Sequence, residues 1–246
     1  MAAARLATRR LYLEDDDCFE ADANIVALDG IRIAFDRTCF YPGGGGQPPD
    51  QGWVSVQSGE VLEIVSAQAD ADDVVWHTAM SSPTSHILGQ PARLAINRVR
   101  RLALTRYHTV LHVLNTIVLR DYGGWITGVQ IETDYSRIDF KLAGFSAALL
   151  ADLESKVNAV LEADHTLKAY YVPEREFRKR EDLLRTLDAR PPASGGQVRV
   201  VEIQGFDVQA CGGTHVSSTS QVGKFSILRS ENKGKINKRL YVRVAQ

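Results

Sequence analysis

Residues 108–112 read His-Thr-Val-Leu-His, and residues 211–215 read Cys-Gly-Gly-Thr-His. Around the first stretch, apolar residues recur at helical spacing as far as Tyr122, where two glycines would stop a helix. Histidines four positions apart share one helix face, so His108 and His112 can reach the same ion. This pair alone is weak evidence for a metal, because a chain with six histidines can show the spacing by chance.

The second stretch adds a different pair of ligands. Cys211 and His215 bring a thiolate and a third imidazole, and we expect Gly212 and Gly213 to let the backbone curl so that both side chains point inwards. Nitrogen and sulfur ligands together suit one zinc ion per chain, held by His108, His112, Cys211 and His215. Zinc fingers take their ligands from one short segment, whereas here about a hundred residues separate the two pairs. That separation favours a site for chemistry, with a purely structural zinc as the alternative.

The first ninety or so residues predict a small β-barrel. Short apolar runs alternate with turn residues, and Asp29-Gly30 has the sequence of a two-residue hairpin turn. The runs that predict strands are residues 25–28, 31–35, 54–56 and 61–65. A connector rich in Ser, Pro and Thr follows, so we take residues 1–92 as one domain and residues 93–246 as a second.

The second domain mixes helices and strands without regular alternation, which predicts an α+β fold. Ser146 is a candidate N-cap for a second helix, and Pro173 is expected to open a third helix that runs towards Leu187. Residues 190–196 have the composition of a loop. The remaining predicted strands are residues 198–203, 223–228 and 240–244.

Composition is that of an ordinary globular chain, with 44% hydrophobic and 24% charged residues and a net charge of −1. No apolar run approaches the ~18 residues of a membrane helix, and no signal-peptide stretch opens the sequence. We therefore expect a cytoplasmic protein with no membrane partner, in which Cys18 and Cys39 are thiols. A nucleic-acid surface would need a local cluster of cations. The sequence offers one in Lys233, Lys235, Lys238 and Arg239.

Three further stretches accompany the ligand motifs. Residues 40–48 read Phe-Tyr-Pro-Gly-Gly-Gly-Gly-Gln-Pro, residues 137–140 read Arg-Ile-Asp-Phe, and residues 231–235 read Glu-Asn-Lys-Gly-Lys. Along the chain, these five motifs occur in the order found in a known family. The chain resembles the editing domain of alanyl-tRNA synthetase and its free-standing relatives, the AlaX trans-editing proteins. The glycine-rich stretch and the length resemble the middle-sized AlaX form. That form implies a small β-barrel of the translation-factor type followed by a zinc-containing α+β editing domain.

The resemblance also implies an activity and a partner. The activity is hydrolysis of tRNA(Ala) wrongly charged with serine or glycine, the partner is the acceptor end of tRNA(Ala), and no nucleotide cofactor is expected. Many synthetase-fused editing domains have threonine where this chain has Leu111. A polar group that senses the substrate would then come from elsewhere, and Thr127 matches a position where some relatives have threonine. Alanine would leave such a group unpaired, at a cost of ~1–3 kcal/mol.

Other motif residues have expected roles of the same kind. Arg137 and Asp139 are expected to support the pocket beside Thr127, with an ion pair within the strands as the alternative. Gly43–Gly46 is not followed by the Lys-Ser or Lys-Thr of a phosphate-binding loop, so we expect it to approach the tRNA acceptor end or to be a plain loop. The predicted contacts to substrate or tRNA are Gly44, Gly45, Gly46, Gln47, Gly212, Gly213, Thr214, Lys233, Lys235, Lys238 and Arg239.

The motifs leave several alternatives open. Zinc can lower the pKa of bound water to about 7, polarise the ester carbonyl or only orient the substrate, and four protein ligands leave a tetrahedral ion no vacant position. Two other functions also share these features: a zinc-stabilised RNA-binding module without catalysis, and a threonyl-type editing domain. The Cys-Gly-Gly-Thr-His stretch and the glycine-rich stretch favour the alanine system over the threonine system.

Overall fold

The computed structural model describes residues 7–185 and 195–245. The helices in these ranges are α1 (Arg98–Tyr122), α2 (Ala147–Glu162) and α3 (Glu174–Phe177). The strands are β1 (Arg9–Arg10), β2 (Glu20–Asp29), β3 (Arg32–Phe35), β4 (Arg37–Thr38), β5 (Gly52–Val56), β6 (Val61–Ala69), β7 (Val75–Ala79), β8 (Pro91–Ile96), β9 (Trp125–Ile131), β10 (Ser136–Lys141), β11 (Leu167–Pro173), β12 (Gln197–Ile203), β13 (Asp207–Ala210), β14 (Phe225–Asn232) and β15 (Asn237–Val244). None of the helices in this part of the chain is long and apolar enough to cross a membrane.

The chain divides into two compact units. The first takes the described residues up to Gly44 and then Pro48–Leu102. The second takes Gly45–Gln47 and the described residues from Ala103 onward. A three-residue piece of the glycine-rich stretch therefore belongs with residues that follow it by more than fifty positions in the chain.

The first unit is built on a closed barrel with the strand order β2-β3-β7-β6-β5-β8, in which all neighbouring strands are antiparallel. Alternate residues of β5 are buried, as expected for a strand with one face towards a barrel interior. Ile25, Phe35 and Leu94 are among the residues that fill this interior. The predicted barrel is thus confirmed. Its first hairpin turn lies at Gly30-Ile31, one residue later than predicted, because Asp29 pairs with Arg32.

A buried ion pair lies in the first unit. Arg101 Nε donates to both carboxylate oxygens of Asp50 at 3.1 Å, and its Nη atoms donate to the carbonyls of Cys39 and Asp16 at 2.7 and 3.1 Å. Asp50 also accepts a hydrogen bond from the backbone N–H of Tyr41 at 2.7 Å. The two charged side chains are 0% and 1% exposed, so removal of either would leave the other charge buried and unpaired.

In the second unit, α1 and α2 share one core with an antiparallel sheet of strand order β14-β15-β10-β9. Both helices were predicted, and Ser146 caps α2 as expected, with its Oγ accepting from the backbone N–H of Leu149 at 3.1 Å. A second antiparallel sheet has the order β11-β12-β13. Its strand β12 confirms the buried strand predicted at residues 198–203, and Cys211 follows β13 directly.

The third predicted helix begins beside Pro173 as expected but is much shorter than predicted. Pro173 ends β11, α3 is one turn long, and a short 3₁₀ turn follows at Glu181–Leu183. The buried apolar residues of this segment are Phe177 and Leu183, which do not make the continuous stripe that a longer amphipathic helix needs. The predicted end at Leu187 and most of the predicted loop at residues 190–196 lie outside the described residues.

Candidate metal centre

The four predicted metal ligands converge in the second unit. His108 and His112 lie one turn apart on α1, and Cys211 and His215 lie in the segment after β13. One potential ligand atom from each side chain lies within 4.8 Å of those from the other three. Cys211 Sγ is 3.4 Å from His108 Nε2 and 3.3 Å from His215 Nε2. The helical pair and the turn pair thus form one cluster.

The orientation of His108 is set by Gln47. The Gln47 Oε1 atom lies 2.7 Å from His108 Nδ1 and also accepts from the backbone N–H of Thr214 at 3.2 Å. Because an amide oxygen only accepts, Nδ1 of His108 carries the proton and Nε2 keeps its lone pair. Gln47 Nε2 donates to Thr214 Oγ1 at 2.9 Å, and Thr214 Oγ1 is 2.8 Å from Thr105 Oγ1. Gln47, predicted as a substrate contact, is 2% exposed and hydrogen-bonds a candidate metal ligand.

Thr109 sets the orientation of His215 in the same way. The Thr109 hydroxyl donates to the carbonyl of Thr105 at 3.0 Å, so its oxygen is left to accept. It accepts from His215 Nδ1 at 3.1 Å and from the backbone N–H of Val216 at 3.2 Å. Nδ1 of His215 therefore carries the proton, and its Nε2 lies 3.3 Å from Cys211 Sγ. Hydrogen bonds to the distal nitrogen of this kind are typical of metal-binding histidines.

Burial keeps the three imidazoles uncharged. Desolvation lowers the pKa of His108 to about 3, with a smaller contribution from the charge of Arg199. Desolvation, followed by the repulsion that a protonated neighbouring histidine would exert, also holds the pKa of His112 and of His215 well below the usual value. Neutral imidazole is the form that binds a metal ion, so no proton has to be displaced from these ligands at neutral pH.

Arg199 and Gly213 shape the turn between Cys211 and His215. Arg199 Nη1 donates to the carbonyls of Gly213 and Cys211 at 2.8 and 3.2 Å, and the backbone N–H of Gly213 donates to Cys211 Sγ at 3.3 Å. The backbone curl expected of Gly212 and Gly213 is not the reason for glycine here, since neither has a positive φ angle. A Cβ atom at Gly213 would lie 2.0 Å from His108 Cε1, so glycine is needed for space.

The cluster fits a zinc ion. Three imidazole nitrogens and one thiolate are a donor set that zinc favours. Ligand atoms around a tetrahedral zinc with bonds of ~2.0–2.3 Å lie roughly 3.3–3.8 Å apart. The two sulfur–nitrogen distances of 3.4 and 3.3 Å match this range. His112 belongs to the same cluster, and its Nδ1 atom is buried without a hydrogen-bond partner among the described residues.

Gln47→Ala is expected to weaken zinc binding about 10- to 100-fold, because His108 loses the acceptor that fixes its ring and tautomer. The measurement is competition for zinc with a chromogenic chelator. Gln51→Ala, which removes an exposed glutamine of the barrel unit, is the control and should bind zinc like the unmodified protein. Equal zinc affinity of the Gln47 and Gln51 variants would show that His108 needs no support from Gln47.

The glycines before Gln47 have a conformational role. Gly43, Gly44, Gly45 and Gly46 all have positive φ angles, which other residues rarely adopt. In the second unit, the carbonyl of Gly46 accepts from the backbone N–H of Ile131 at 2.8 Å, and a Cβ on Gly46 would lie 2.6 Å from Val129. Gly44 belongs to the first unit, where its carbonyl accepts from the Tyr41 hydroxyl. The backbone conformation of this glycine run therefore places Gln47 beside His108. A direct contact between these glycines and tRNA stays a prediction.

The predicted catalytic residues lie on strands β9 and β10. Thr127 is exposed and donates from Oγ1 to Asn237 Oδ1 at 3.0 Å. Arg137 Nε donates to Gln130 Oε1 at 2.7 Å, and the carboxylate of Asp139 accepts from Arg239 at 2.6 and 2.8 Å. Arg137 and Asp139 alternate with the core residues Ile138 and Phe140, so they lie on the polar face of the sheet. The hydrogen bonds described for these two side chains link Arg137 to Gln130 and Asp139 to Arg239, and their catalytic role stays a prediction.

The predicted phosphate-binding residues divide into two groups. Lys233 and Lys235 are exposed at the end of the β14–β15 hairpin, where Lys233 lies 3.1 Å from Glu231. Lys238 is buried, and its ammonium donates to the carbonyls of Gly234 and Lys235 at 2.6 and 3.1 Å. Arg239 pairs with Asp139, as described above. Lys238 and Arg239 therefore stabilise the hairpin and its sheet, and Lys233 and Lys235 present their charges to solvent.

Comparison with known proteins identifies the segment around Cys211. Residues 198–241 match the family model described as the threonyl and alanyl tRNA synthetase second additional domain. The chain is also 35% identical over 227 residues to the alanine–tRNA ligase of Pyrococcus abyssi, a match that covers 91% of this chain and 24% of that enzyme. This chain therefore matches about a quarter of a much larger enzyme.

Free-standing relatives match over nearly their whole length. The chain is 30% identical over 240 residues to the alanyl-tRNA editing protein AlaX-M of Saccharolobus solfataricus, covering 96% of this chain and 99% of that protein. It is 35% identical over 239 residues to the AlaX-M of Methanosarcina acetivorans, covering 95% and 98%. With this coverage, a closed barrel and the His and Cys cluster on one chain, the protein belongs to the AlaX family of alanyl-tRNA editing proteins, in its AlaX-M form.

Proposed function

We propose that this chain is a zinc-dependent hydrolase that removes serine, and also glycine, from wrongly charged tRNA(Ala). The observation that carries the proposal is the convergence of His108, His112, Cys211 and His215 on one position. The names of the full-length relatives supply the substrate class. The proposed partner is the acceptor end of tRNA(Ala), and the proposed compartment is the cytoplasm, where tRNA is charged.

The reaction breaks the ester between an amino acid and a ribose hydroxyl, with water as the second reactant. A bound zinc ion supplies Lewis-acid chemistry for such a step. The chain itself supplies orientation: Gln47 and Thr109 hold the Nδ1 protons of His108 and His215, so that both Nε2 atoms face Cys211 Sγ. The backbone N–H of Gly213 donates to the same sulfur and stabilises its charged form. Because these partners are buried, the ligands are held in place before substrate arrives.

Rejection of alanine requires a polar group that pairs with the serine hydroxyl. Thr127 is the proposed group, since it occupies a position where some relatives have threonine. Its side chain is exposed, and its hydroxyl proton is used by Asn237, which leaves the oxygen free to accept a hydrogen bond. Alanine would leave this group without a partner, at a cost of ~1–3 kcal/mol, whereas glycine needs only space.

A deacylation assay tests the proposal directly. Zinc-loaded protein is mixed with seryl-, glycyl- and alanyl-tRNA(Ala), and release of the amino acid is followed over time. We expect hydrolysis of the seryl and glycyl esters, and a rate for the alanyl ester lower by roughly 5- to 150-fold, from the same ~1–3 kcal/mol. Equal hydrolysis of all three esters would contradict an editing function. Hydrolysis of none of them would favour the alternative, an RNA-binding module without catalysis.

The exposed end of the β14–β15 hairpin is the proposed phosphate contact. Lys233 and Lys235 lie within three residues of each other, and neither is buried. Glu231 lies 3.1 Å from the Lys233 ammonium and partly neutralises it, so Lys235 carries the less compensated charge. Two exposed lysines on a hairpin tip can reach a nucleic-acid backbone without displacing any buried group.

Lys233→Ala and Lys235→Ala should each weaken tRNA binding and reduce its salt dependence, by about 0.7–0.9 in log–log slope per lost contact. The measurement is the Kd of tRNA(Ala) over a series of salt concentrations. Lys179→Ala, which removes an exposed lysine outside the hairpin, is the matched control and should leave the slope unchanged. Equal salt slopes for all three variants would show that Lys233 and Lys235 do not contact tRNA phosphates.

A further inference from the structure

Two neighbouring tyrosines on strand β11 are exposed. This strand is an edge of the β11-β12-β13 sheet, and its hydrogen-bonded neighbour among the described residues is β12. Tyr170 is 41% exposed and Tyr171 is 48% exposed. Because successive residues of a strand point to opposite faces, the two rings lie on opposite sides of the sheet. Tyr170 and Tyr171 are therefore similar in exposure but differ in the face of the sheet on which they lie.

The strand register connects Tyr171 to the metal centre. Tyr171 pairs with Arg199 across β11 and β12, and the carbonyl of Arg199 accepts from the backbone N–H of Cys211 at 3.1 Å. The three residues form one row across the sheet, so their side chains share a face. With ~4.8 Å between adjacent strands, the Cα atoms of Tyr171 and Cys211 lie about 10 Å apart.

The shared face is the one that faces α1. Gln209 stands two residues before Cys211 and pairs with Val201, so it lies on the same face as Cys211. Its Oε1 accepts from Asn115 Nδ2 of α1 at 3.2 Å. On the other face, Val172 packs with Phe177 and Val198, and Tyr170 is on that side. Tyr171 therefore lies at the edge of the sheet on the face that carries Cys211, and Tyr170 lies on the opposite face.

We infer that Tyr171 is the stacking platform for the adenine base of the terminal nucleoside of tRNA. The inference rests on the proposed function, in which the ester lies at the metal centre. The base is attached to the same ribose as the ester, so only the width of one sugar separates them. A half-exposed aromatic ring about two strand spacings from a metal ligand is within reach of that base. Stacking on an aromatic ring is a common way to hold an unpaired nucleotide.

Binding of an uncharged acceptor-stem RNA tests the inference without relying on turnover. The RNA ends either in adenosine or in the same nucleotide without its base, and Kd is measured by fluorescence anisotropy. Tyr171→Ala should raise the Kd of the adenosine-ended RNA about 5- to 150-fold, which corresponds to the loss of one stacked base. Tyr171→Phe should retain tight binding, because the ring remains.

Tyr170→Ala is the matched control, with the same substitution at a ring of similar exposure on the opposite face. Its Kd should stay within about twofold of the unmodified protein, since no stacked base is lost. The RNA without the terminal base should bind the unmodified protein and the Tyr171→Ala variant equally. Equal Kd values for Tyr171→Ala and the unmodified protein would overturn the inference. So would a loss that persists with the baseless RNA, because the contact would then be to sugar or phosphate. Failure of deacylation with this Kd pattern intact would count against the proposed function alone.

Discussion

Cys211→Ala should abolish deacylation of seryl-tRNA(Ala) and leave the protein folded. The thiolate is the single sulfur ligand of the cluster, with Nε2 atoms of two histidines at 3.4 and 3.3 Å. A metal ion contributes several kcal/mol to such a reaction, so its loss corresponds to a decrease of roughly a thousandfold in rate. The main core of the second unit, formed by α1, α2 and the four-stranded sheet, does not include Cys211. The measurements are initial rate, bound zinc, and the circular-dichroism and thermal-unfolding profiles.

Cys18→Ala is the control for the same chemical change at a thiol of the first unit. It should retain zinc, rate and thermal transition. A Cys211→Ala protein that unfolds along with its loss of activity would favour a structural zinc. A variant that still deacylates at the full rate would remove Cys211 from the metal centre altogether.

Asp50→Ala is expected to lower the free energy of unfolding of the barrel unit by about 3–5 kcal/mol. The substitution leaves the guanidinium of Arg101 buried without its carboxylate, and also removes the acceptor for the N–H of Tyr41. Urea unfolding can be followed by tryptophan fluorescence, because Trp53 and Trp76 both lie in barrel strands. A variant too unstable to purify would agree with this expectation.

Asp22→Ala supplies the comparison for an exposed ion pair. Asp22 lies 3.1 Å from Arg93 on the barrel surface and has a side chain that is 82% exposed. Exposed pairs contribute about 0–1 kcal/mol, so the urea midpoint should hardly move. Similar midpoints for the Asp22 and Asp50 variants would contradict the importance assigned to the buried pair.

The features predicted correctly are those whose signal lies within a short stretch of sequence. The apolar period of α1 and the Ser146 cap of α2 were correct, because both signals lie within a few residues of the element they specify. The convergence of His108, His112, Cys211 and His215 was also predicted, since the residue types and spacing of a zinc site are restricted by zinc chemistry. The helix that begins at Glu174 was predicted too long, because charged residues with high helix propensity do not extend a helix without an apolar stripe to bury.

The residues that support the ligands could not be recognised in this way. Gln47 contacts His108 across 61 positions of the chain, whereas the glycines before it suggested an approach to the tRNA acceptor end or a plain loop. Arg101 and Asp50 are separated by 51 positions, and each looks like a solvated charge within its own segment. Such pairs depend on tertiary contacts that no short stretch of sequence contains. The register between Tyr171, Arg199 and Cys211 is of the same kind, because strand pairing sets it.

We propose that one zinc ion, bound by His108, His112, Cys211 and His215, makes this chain an editing enzyme. Protein stripped of metal should be titrated with zinc while bound zinc and the rate of seryl-tRNA(Ala) hydrolysis are measured in the same samples. We predict that the rate rises in proportion to bound zinc and reaches its plateau at one zinc per chain. In the Cys211→Ala variant, neither bound zinc nor the rate should rise. Full activity in the metal-free protein, or a plateau of zinc binding with no hydrolysis, would contradict a zinc-dependent editing activity.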